Sequence, residues 1–211
     1  MKSRQTGFTL VEIAIVLVII GLLLGGVLKG QELINSAKVK NLANDFRTIP
    51  IYIYGYQDRF RALPGDDKNA ETHLGNTAKG TEGNGNGVID GVWNSEDSTV
   101  ESYLFWLHVR LAGFAPGSTD INDAAYIPRN AEGGRIGVTG ADKVPITTPT
   151  LRGTYFICSE SISGRFAKQL DLMMDDGNTA TGSMMAMDSD SKVVATTSID
   201  DGLTYTVCMG V

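Results

Sequence analysis

An unbroken apolar run, IAIVLVIIGLLLGGVL, occupies residues 13–28 and directly follows the hexapeptide GFTLVE at residues 7–12. From Phe8 to the end of this run the only charged side chain is that of Glu12. A helix of this length is roughly 30 Å long, which matches the thickness of a bilayer's hydrocarbon core. The run therefore predicts a membrane-spanning helix.

A secretory signal peptide and a plain membrane anchor are the ordinary interpretations of such a run. A signal peptide needs a small-residue cleavage site after the apolar stretch, but KGQE follows it at residues 29–32. A plain anchor leaves Glu12 unexplained, because ionisable side chains within membrane helices are costly and usually functional. Neither interpretation accounts for all the residues.

The N-terminal pattern resembles the prepilin signal of the type IV pilin and type II secretion pseudopilin superfamily. The resemblance depends on a short leader containing Lys2 and Arg4, the Gly7-Phe8 junction, Glu12 and the apolar run. In that family a prepilin peptidase cuts after the glycine, and the new N-terminal residue is methylated. The resemblance therefore implies cleavage after Gly7 and methylation of Phe8.

Glu12 has two candidate partners, and both are α-amines created by cleavage before Phe8. The carboxylate could neutralise the amine and helix dipole of its own chain, which lies one turn away. The family resemblance implies instead that it pairs with Phe8 of a neighbouring subunit during assembly. Only the second pairing would set the axial register of a filament.

An apolar stripe predicts that the helix continues beyond the membrane segment. Its residues recur at spacings of three and four: Val39, Leu42, Phe46, Ile49, Ile53, Tyr56 and Phe60. Pro50 should bend this helix without ending it, since the stripe resumes in phase. The sequence LPG at residues 63–65 should stop it.

The rest of the chain predicts a head of mixed structure. A helix is expected at residues 98–111, with Ser98 and Glu101 as a capping box, and a second near residues 166–174. Strands are expected at residues 135–139, 154–159, 182–187 and 203–208, with a weaker one near Val193. The fold class is therefore α+β, with a long N-terminal α-helix packed against a small antiparallel β-sheet head, as in pilins.

This interpretation divides the chain into four parts. Residues 1–7 form a leader and residues 8–28 a transmembrane or filament-core helix. Residues 29–62 form the amphipathic second half of that helix, and residues 63–211 form the head. The head includes a long loop at residues 65–98 that is rich in Gly, Asn and Asp.

The two cysteines, Cys158 and Cys208, both lie in the head. In an oxidising compartment they suggest one disulfide, and two buried free thiols are the alternative. Many pilins close their C-terminal region with a disulfide, so the resemblance favours the bond.

The long loop contains a candidate calcium site within TEGNGNGVIDG, residues 81–91. Counted from Glu82, the spacing resembles an EF-hand loop, with a glycine at the sixth position. The candidate ligands are Glu82, Asn84, Asn86, the carbonyl of Val88, and Asp90. Trp93 stands where an EF-hand has a bidentate Glu, so affinity should be weak, about 10⁻⁴–10⁻³ M. The alternative is a series of Asn-Gly turns without an ion. Structural Ca²⁺ is the one cofactor suggested, and none is required.

Composition argues against several functions. The chain has 18 Lys and Arg against 24 Asp and Glu, a net charge of −6, and no dense basic run, so no nucleic-acid partner is expected. No common catalytic motif is present, and His73 and His108 stand in unrelated contexts. We therefore expect no enzymatic activity.

The resemblance implies a structural subunit of a type IV pilus filament. Its partners would be copies of itself or related pilins, prepilin peptidase, the assembly machinery and, before assembly, the bacterial inner membrane, crossed once. A pseudopilin of a type II secretion system is the first alternative, which would place the protein in a periplasmic pseudopilus instead of an extracellular pilus. A membrane-anchored extracytoplasmic binding module is an alternative of another class.

Overall fold

The computed structural model describes residues 9–211. Gly7 and Phe8 lie outside the described residues, so their predicted processing stays a prediction. The chain divides into two compact units, with the boundary after Lys38. The first helix, α1 (Leu10–Phe60), contains this boundary.

In the first unit, the N-terminal part of α1 exposes its whole apolar surface. An 18-residue window of the helix has a mean hydropathy of 2.8, and none of it is buried within the protein. Length and composition therefore suit a membrane span. Four glycines lie along this part, Gly21, Gly25, Gly26 and Gly30, and no other group lies within 4 Å of the position where a Cβ would stand.

In the second unit, the remaining part of α1 supplies one wall of the main core. The buried side chains are those of the predicted stripe up to Tyr56, together with Ala43. Phe60, the last residue of the helix, is only half-buried. Pro50 lies inside α1, and the helix continues past it as predicted.

The head contains a four-stranded antiparallel sheet in the order β1-β2-β4-β3. Its strands are β1 (Ile136–Gly140), β2 (Tyr155–Ser163), β3 (Met184–Met187) and β4 (Thr204–Gly210). Three further helices are α2 (Ala70–Leu74), α3 (Glu101–Leu111) and α4 (Gly164–Met174). The predicted α+β class with a pilin-like layout is confirmed. The weak strand near Val193 is reduced to an isolated bridge with Met187.

Both faces of the sheet are buried. Alternate residues such as Val138, Ile157 and Val207 face the main core with α1 and α3. The other face carries Phe156, Cys158, Met185, Met187 and Cys208, which pack against Ile146 and Leu151 from the segment between β1 and β2. Because side chains alternate along a strand, cover on both faces suits the apolar sequence MMAM of β3 and the apolar start YFIC of β2.

Two local predictions differ from the structure. The helix expected from Ser98 begins at Glu101, and no side chain caps it. The capping box is wrong because the Glu101 carboxylate accepts hydrogen bonds from the Asn84 and Asp90 amides instead. The long loop is also less irregular than expected, since it contains α2 and a short 3-10 helix at Asn76–Ala78.

Candidate functional site

Glu12 closes the first turn of α1. Its Oε2 accepts hydrogen bonds from Thr9 N at 2.7 Å and from Thr9 Oγ1 at 2.9 Å. In return, Glu12 N donates to Thr9 Oγ1 at 3.2 Å. This reciprocal pair is a capping box, which satisfies backbone amides that have no partner within the helix.

The capping box gives Glu12 a role within its own helix, which is separate from the two possible pairings with an α-amine. The spacing Thr9-x-x-Glu12 is itself a capping-box signal, so the sequence contains the information needed to predict it. Within residues 9–211, every hydrogen bond to the carboxylate falls on Oε2. The box therefore does not use Oε1 and is compatible with either α-amine as a further partner.

A buried carboxylate from outside the candidate calcium loop holds that loop in place. Asp66 is 3% exposed. Its Oδ1 accepts hydrogen bonds from Gly85 N at 2.6 Å and Asn86 N at 3.0 Å, and its Oδ2 accepts from Gly87 N at 2.7 Å. Charge-assisted hydrogen bonds of this kind are among the stronger ones in proteins. Asp66 thus attaches residues 85–87 of the loop to the segment that follows α1.

The structure brings three of the five candidate calcium ligands together. Asn84 Nδ2 and Asn86 Nδ2 donate to Asp90 Oδ2, at 2.6 Å and 3.1 Å. The Oδ1 atoms of the two amides accept from Asn86 N and Val88 N, which are Asx turns. Glu82 is exposed and, in the described part of the chain, forms no hydrogen bond with these three. The turn chemistry explains this geometry without an ion, and calcium binding here stays a prediction.

Cys158 and Cys208 form a disulfide between β2 and β4. The two residues face each other directly in the register of the antiparallel strands, and both are 0% exposed. The bond lies among the apolar side chains of the second core cluster. The structure therefore contains the bond that the resemblance favours.

An open cleft of about 670 Å³ lies beside the end of α1 and contains an acid–histidine pair. His73 Nδ1 is 2.6 Å from Asp67 Oδ2, which also accepts a hydrogen bond from Tyr56 OH at 2.7 Å. Burial raises the pKa of Asp67, but the hydrogen bonds from His73, Tyr56 and the Asn69 amide outweigh it and hold that pKa below its usual value. In the described chain no hydroxyl or thiol bonds to His73, so the pair does not extend to a nucleophile.

His108 is a fully buried neutral histidine that links three segments. Its Nδ1 accepts a hydrogen bond from Gly65 N at 2.9 Å, and its Nε2–H donates to Thr81 O at 3.0 Å. Burial lowers the pKa of His108 to about 4, against the opposing influence of the Thr81 carbonyl and the negative charges of Asp67 and Glu82. Protonation of Nδ1 would also break the bond to Gly65.

His108 should make the head less stable as pH falls from about 6.5 to about 4. In this window the unfolded chain binds a proton at His108 and the folded chain does not, so the free energy of unfolding falls by about 1.4 kcal/mol per pH unit, about 3 kcal/mol in total. Burial raises the pKa of Asp45 and of Asp171, and each of these groups makes the head more stable as pH falls. The contribution of His108 must therefore be measured as a difference between the wild type and a variant that lacks it.

The measurement compares urea unfolding of the wild type and His108→Gln at pH 7 and pH 4.5. The glutamine variant is expected to be less stable than the wild type at both pH values. Between pH 7 and pH 4.5, however, its free energy of unfolding should fall by about 2–3 kcal/mol less than that of the wild type. His73→Gln is the matched control, since its ring is partly exposed. Parallel pH profiles for the wild type and His108→Gln would contradict the prediction.

Comparison with known proteins identifies the N-terminal region. Residues 2–28 match the family model described as the prokaryotic N-terminal methylation motif. This motif is the prepilin signal of type IV pilins and pseudopilins. It implies processing by prepilin peptidase and assembly by a pilus or secretion machinery. No curated protein and no solved structure shows significant similarity to the chain.

Proposed function

We propose that the protein is a structural subunit of a type IV pilus filament. In this proposal the peptidase cuts after Gly7, Phe8 is methylated, and α1 holds the protein in the bacterial inner membrane until assembly. The supporting observation is the coincidence of the methylation motif with a fully exposed apolar helix segment that begins at Leu10.

The surface of the membrane segment supports polymerisation through this helix. Its large apolar side chains are exposed all round, so lipid or other copies of the helix must cover them. The glycines at positions 21, 25, 26 and 30 leave open space along the helix, which permits the close approach that small residues allow between helices in membranes. Before assembly lipid would cover the segment, and in the filament neighbouring subunits would replace the lipid.

A type II secretion pseudopilin is the alternative with the same N-terminal chemistry. The prepilin signal is common to both, and the two functions differ in final location, an extracellular pilus or a periplasmic pseudopilus. Filaments sheared from the cell surface distinguish them, because a major pilus subunit should be their main protein. Recovery of the protein only from the cell envelope, in cells that assemble surface pili, would favour the pseudopilin.

A membrane-anchored binding module would keep the anchor and the head but have no need to polymerise. Such a protein would tolerate the loss of Glu12, whereas a filament subunit would not. We propose that the head is not an enzyme and binds no nucleic acid. The net charge of −6 and the absence of a nucleophile bonded to His73 in the described chain support these two points.

The mature protein is expected to begin at an N-methylated Phe8. Intact-mass and N-terminal peptide analysis of the membrane fraction measures both features. Gly7→Val should retain the leader, because a bulky side chain would occupy the cleavage position, and Gly26→Ala, in the same helix, should be processed normally. A wild-type protein that begins at Met1, or after residue 28, would contradict the proposed processing.

A further inference from the structure

Helix α4 ends in a cluster of three carboxylates, Asp171, Asp175 and Asp176. Each side chain places an oxygen within 4.8 Å of an oxygen of the other two. Asp171 lies in the last turn of the helix and Asp175 is its C-cap. The C-terminus of a helix carries a partial negative charge, so carboxylates are disfavoured there. Within residues 9–211, none of the three forms an ion pair that would offset this repulsion.

Asp171 is the residue that makes this cluster unusual. It is 1% exposed, and neither Oδ1 nor Oδ2 has a hydrogen-bond partner in the described chain. The Gly177 amide faces the carboxylate but does not reach hydrogen-bonding geometry. Burial and the charges of Asp176 and Asp175 raise the pKa of Asp171 to about 7. Buried polar groups in native proteins are almost always satisfied, so this one calls for a further partner.

The other two carboxylates are oriented by the turn that leads into β3. Asp175 accepts hydrogen bonds from Ser183 Oγ at 3.0 Å and Met184 N at 2.9 Å. Asp176 accepts from Thr181 Oγ1 at 2.6 Å and Asn178 N at 2.8 Å. Hydrogen bonds that fix ligating carboxylates are the usual support of a metal site.

We propose that Asp171, Asp175 and Asp176 bind one Ca²⁺ ion. Ca²⁺ takes six to eight oxygen ligands at 2.3–2.6 Å, so two ligands of one ion lie at most about 5 Å apart, as these oxygens do. The cluster contains no Cys or His, which distinguishes it from a typical zinc site. The ion would satisfy Asp171 and cancel the repulsion at the end of α4.

The site would connect α4 to β3 through the turn at residues 175–184. It differs from the candidate loop at residues 82–90, whose gathered side chains are two neutral amides and one carboxylate. With three carboxylates, the α4 site should bind calcium more tightly than that loop, because affinity rises with the number of charged ligands.

The test measures thermal unfolding of the full chain in detergent micelles, in chelator and in millimolar CaCl₂. The variants are Asp171→Asn, which is nearly isosteric and uncharged, and the double variant Asn84→Ala, Asp90→Ala as the matched control in the other loop. The wild type and the control should gain about 5–10 °C in Tm with calcium. Asp171→Asn should gain little, and in chelator it should be at least as stable as the wild type, since it removes a repelled charge.

Three results would overturn the proposal. The first is no calcium response in the wild type. The second is a rise in Tm with calcium that Asp171→Asn retains. If the double variant in the 82–90 loop loses that rise, the ion binds in the 82–90 loop instead. The third is an Asp171→Asn protein that unfolds at a lower temperature than the wild type in chelator, because this would show that the carboxylate is satisfied without an ion.

Discussion

Glu12→Ala is expected to lower the yield of sheared filaments by about tenfold or more, because a charge pair in surroundings of low dielectric is strong and is lost at every subunit added. The variant should still be cleaved after Gly7 and held in the membrane. Immunoblots of the sheared and membrane fractions measure the two quantities separately. Normal filament yield would contradict the proposed pairing with a neighbouring subunit.

The capping box makes a second variant necessary. Glu12→Gln keeps an oxygen that can accept the hydrogen bond from Thr9 N but removes the charge. If the charge is required for assembly, this variant should fail as Glu12→Ala does. If it assembles normally, the capping box is the role of Glu12 and the intersubunit pairing is wrong. Thr9→Ala, which removes only the hydroxyl of the box, and Glu32→Gln, an exposed change outside the apolar run, are the controls.

Removal of the disulfide is expected to lower the free energy of unfolding by about 4 kcal/mol, because the bond joins residues 50 positions apart and so restricts the unfolded chain. Urea unfolding of the double variant Cys158→Ala, Cys208→Ala measures this loss. Alanine is suitable because both side chains lie in an apolar cluster.

The reduced wild type is the control for this prediction, since it loses the bond but keeps both side chains. Its stability should fall by a similar amount, and any extra loss in the alanine variant reports the cavity left by the two sulfur atoms. Two thiols that react with an alkylating reagent in natively exported protein would contradict the bond itself.

Periodic features of the chain were predictable from sequence because each needs only local information. The stripe from Val39 to Tyr56 predicts the buried side of α1, since a regular helix fixes which residues share a face. The unbroken apolar run predicts a helix segment that is apolar all round, and the structure shows such a segment with none of it buried within the protein. The strands were placed within a few residues, because their apolar runs are bounded by Gly, Asp and Asn.

Features that depend on distant partners were not predictable. Glu101 has the spacing of a capping box with Ser98, but its carboxylate instead accepts hydrogen bonds from the backbone amides of Asn84 and Asp90, which belong to another segment. Asp171 lies within the helix predicted near residues 166–174, but only the folded chain shows that its oxygens are buried without a partner. For the loop at residues 82–90, sequence leaves calcium and turns open, because both use the same Asn oxygens.

The cover over the second face of the sheet has a kinetic consequence. Thiol–disulfide exchange requires a thiolate to reach a sulfur atom, and both cysteines are fully buried in the cluster that contains Ile146 and Leu151. A reductant must therefore wait until the segment between β1 and β2 lifts from the sheet, which is a local fluctuation. Where the reductant reacts faster than the segment closes again, the rate at which the bond is reduced equals the rate at which this segment opens.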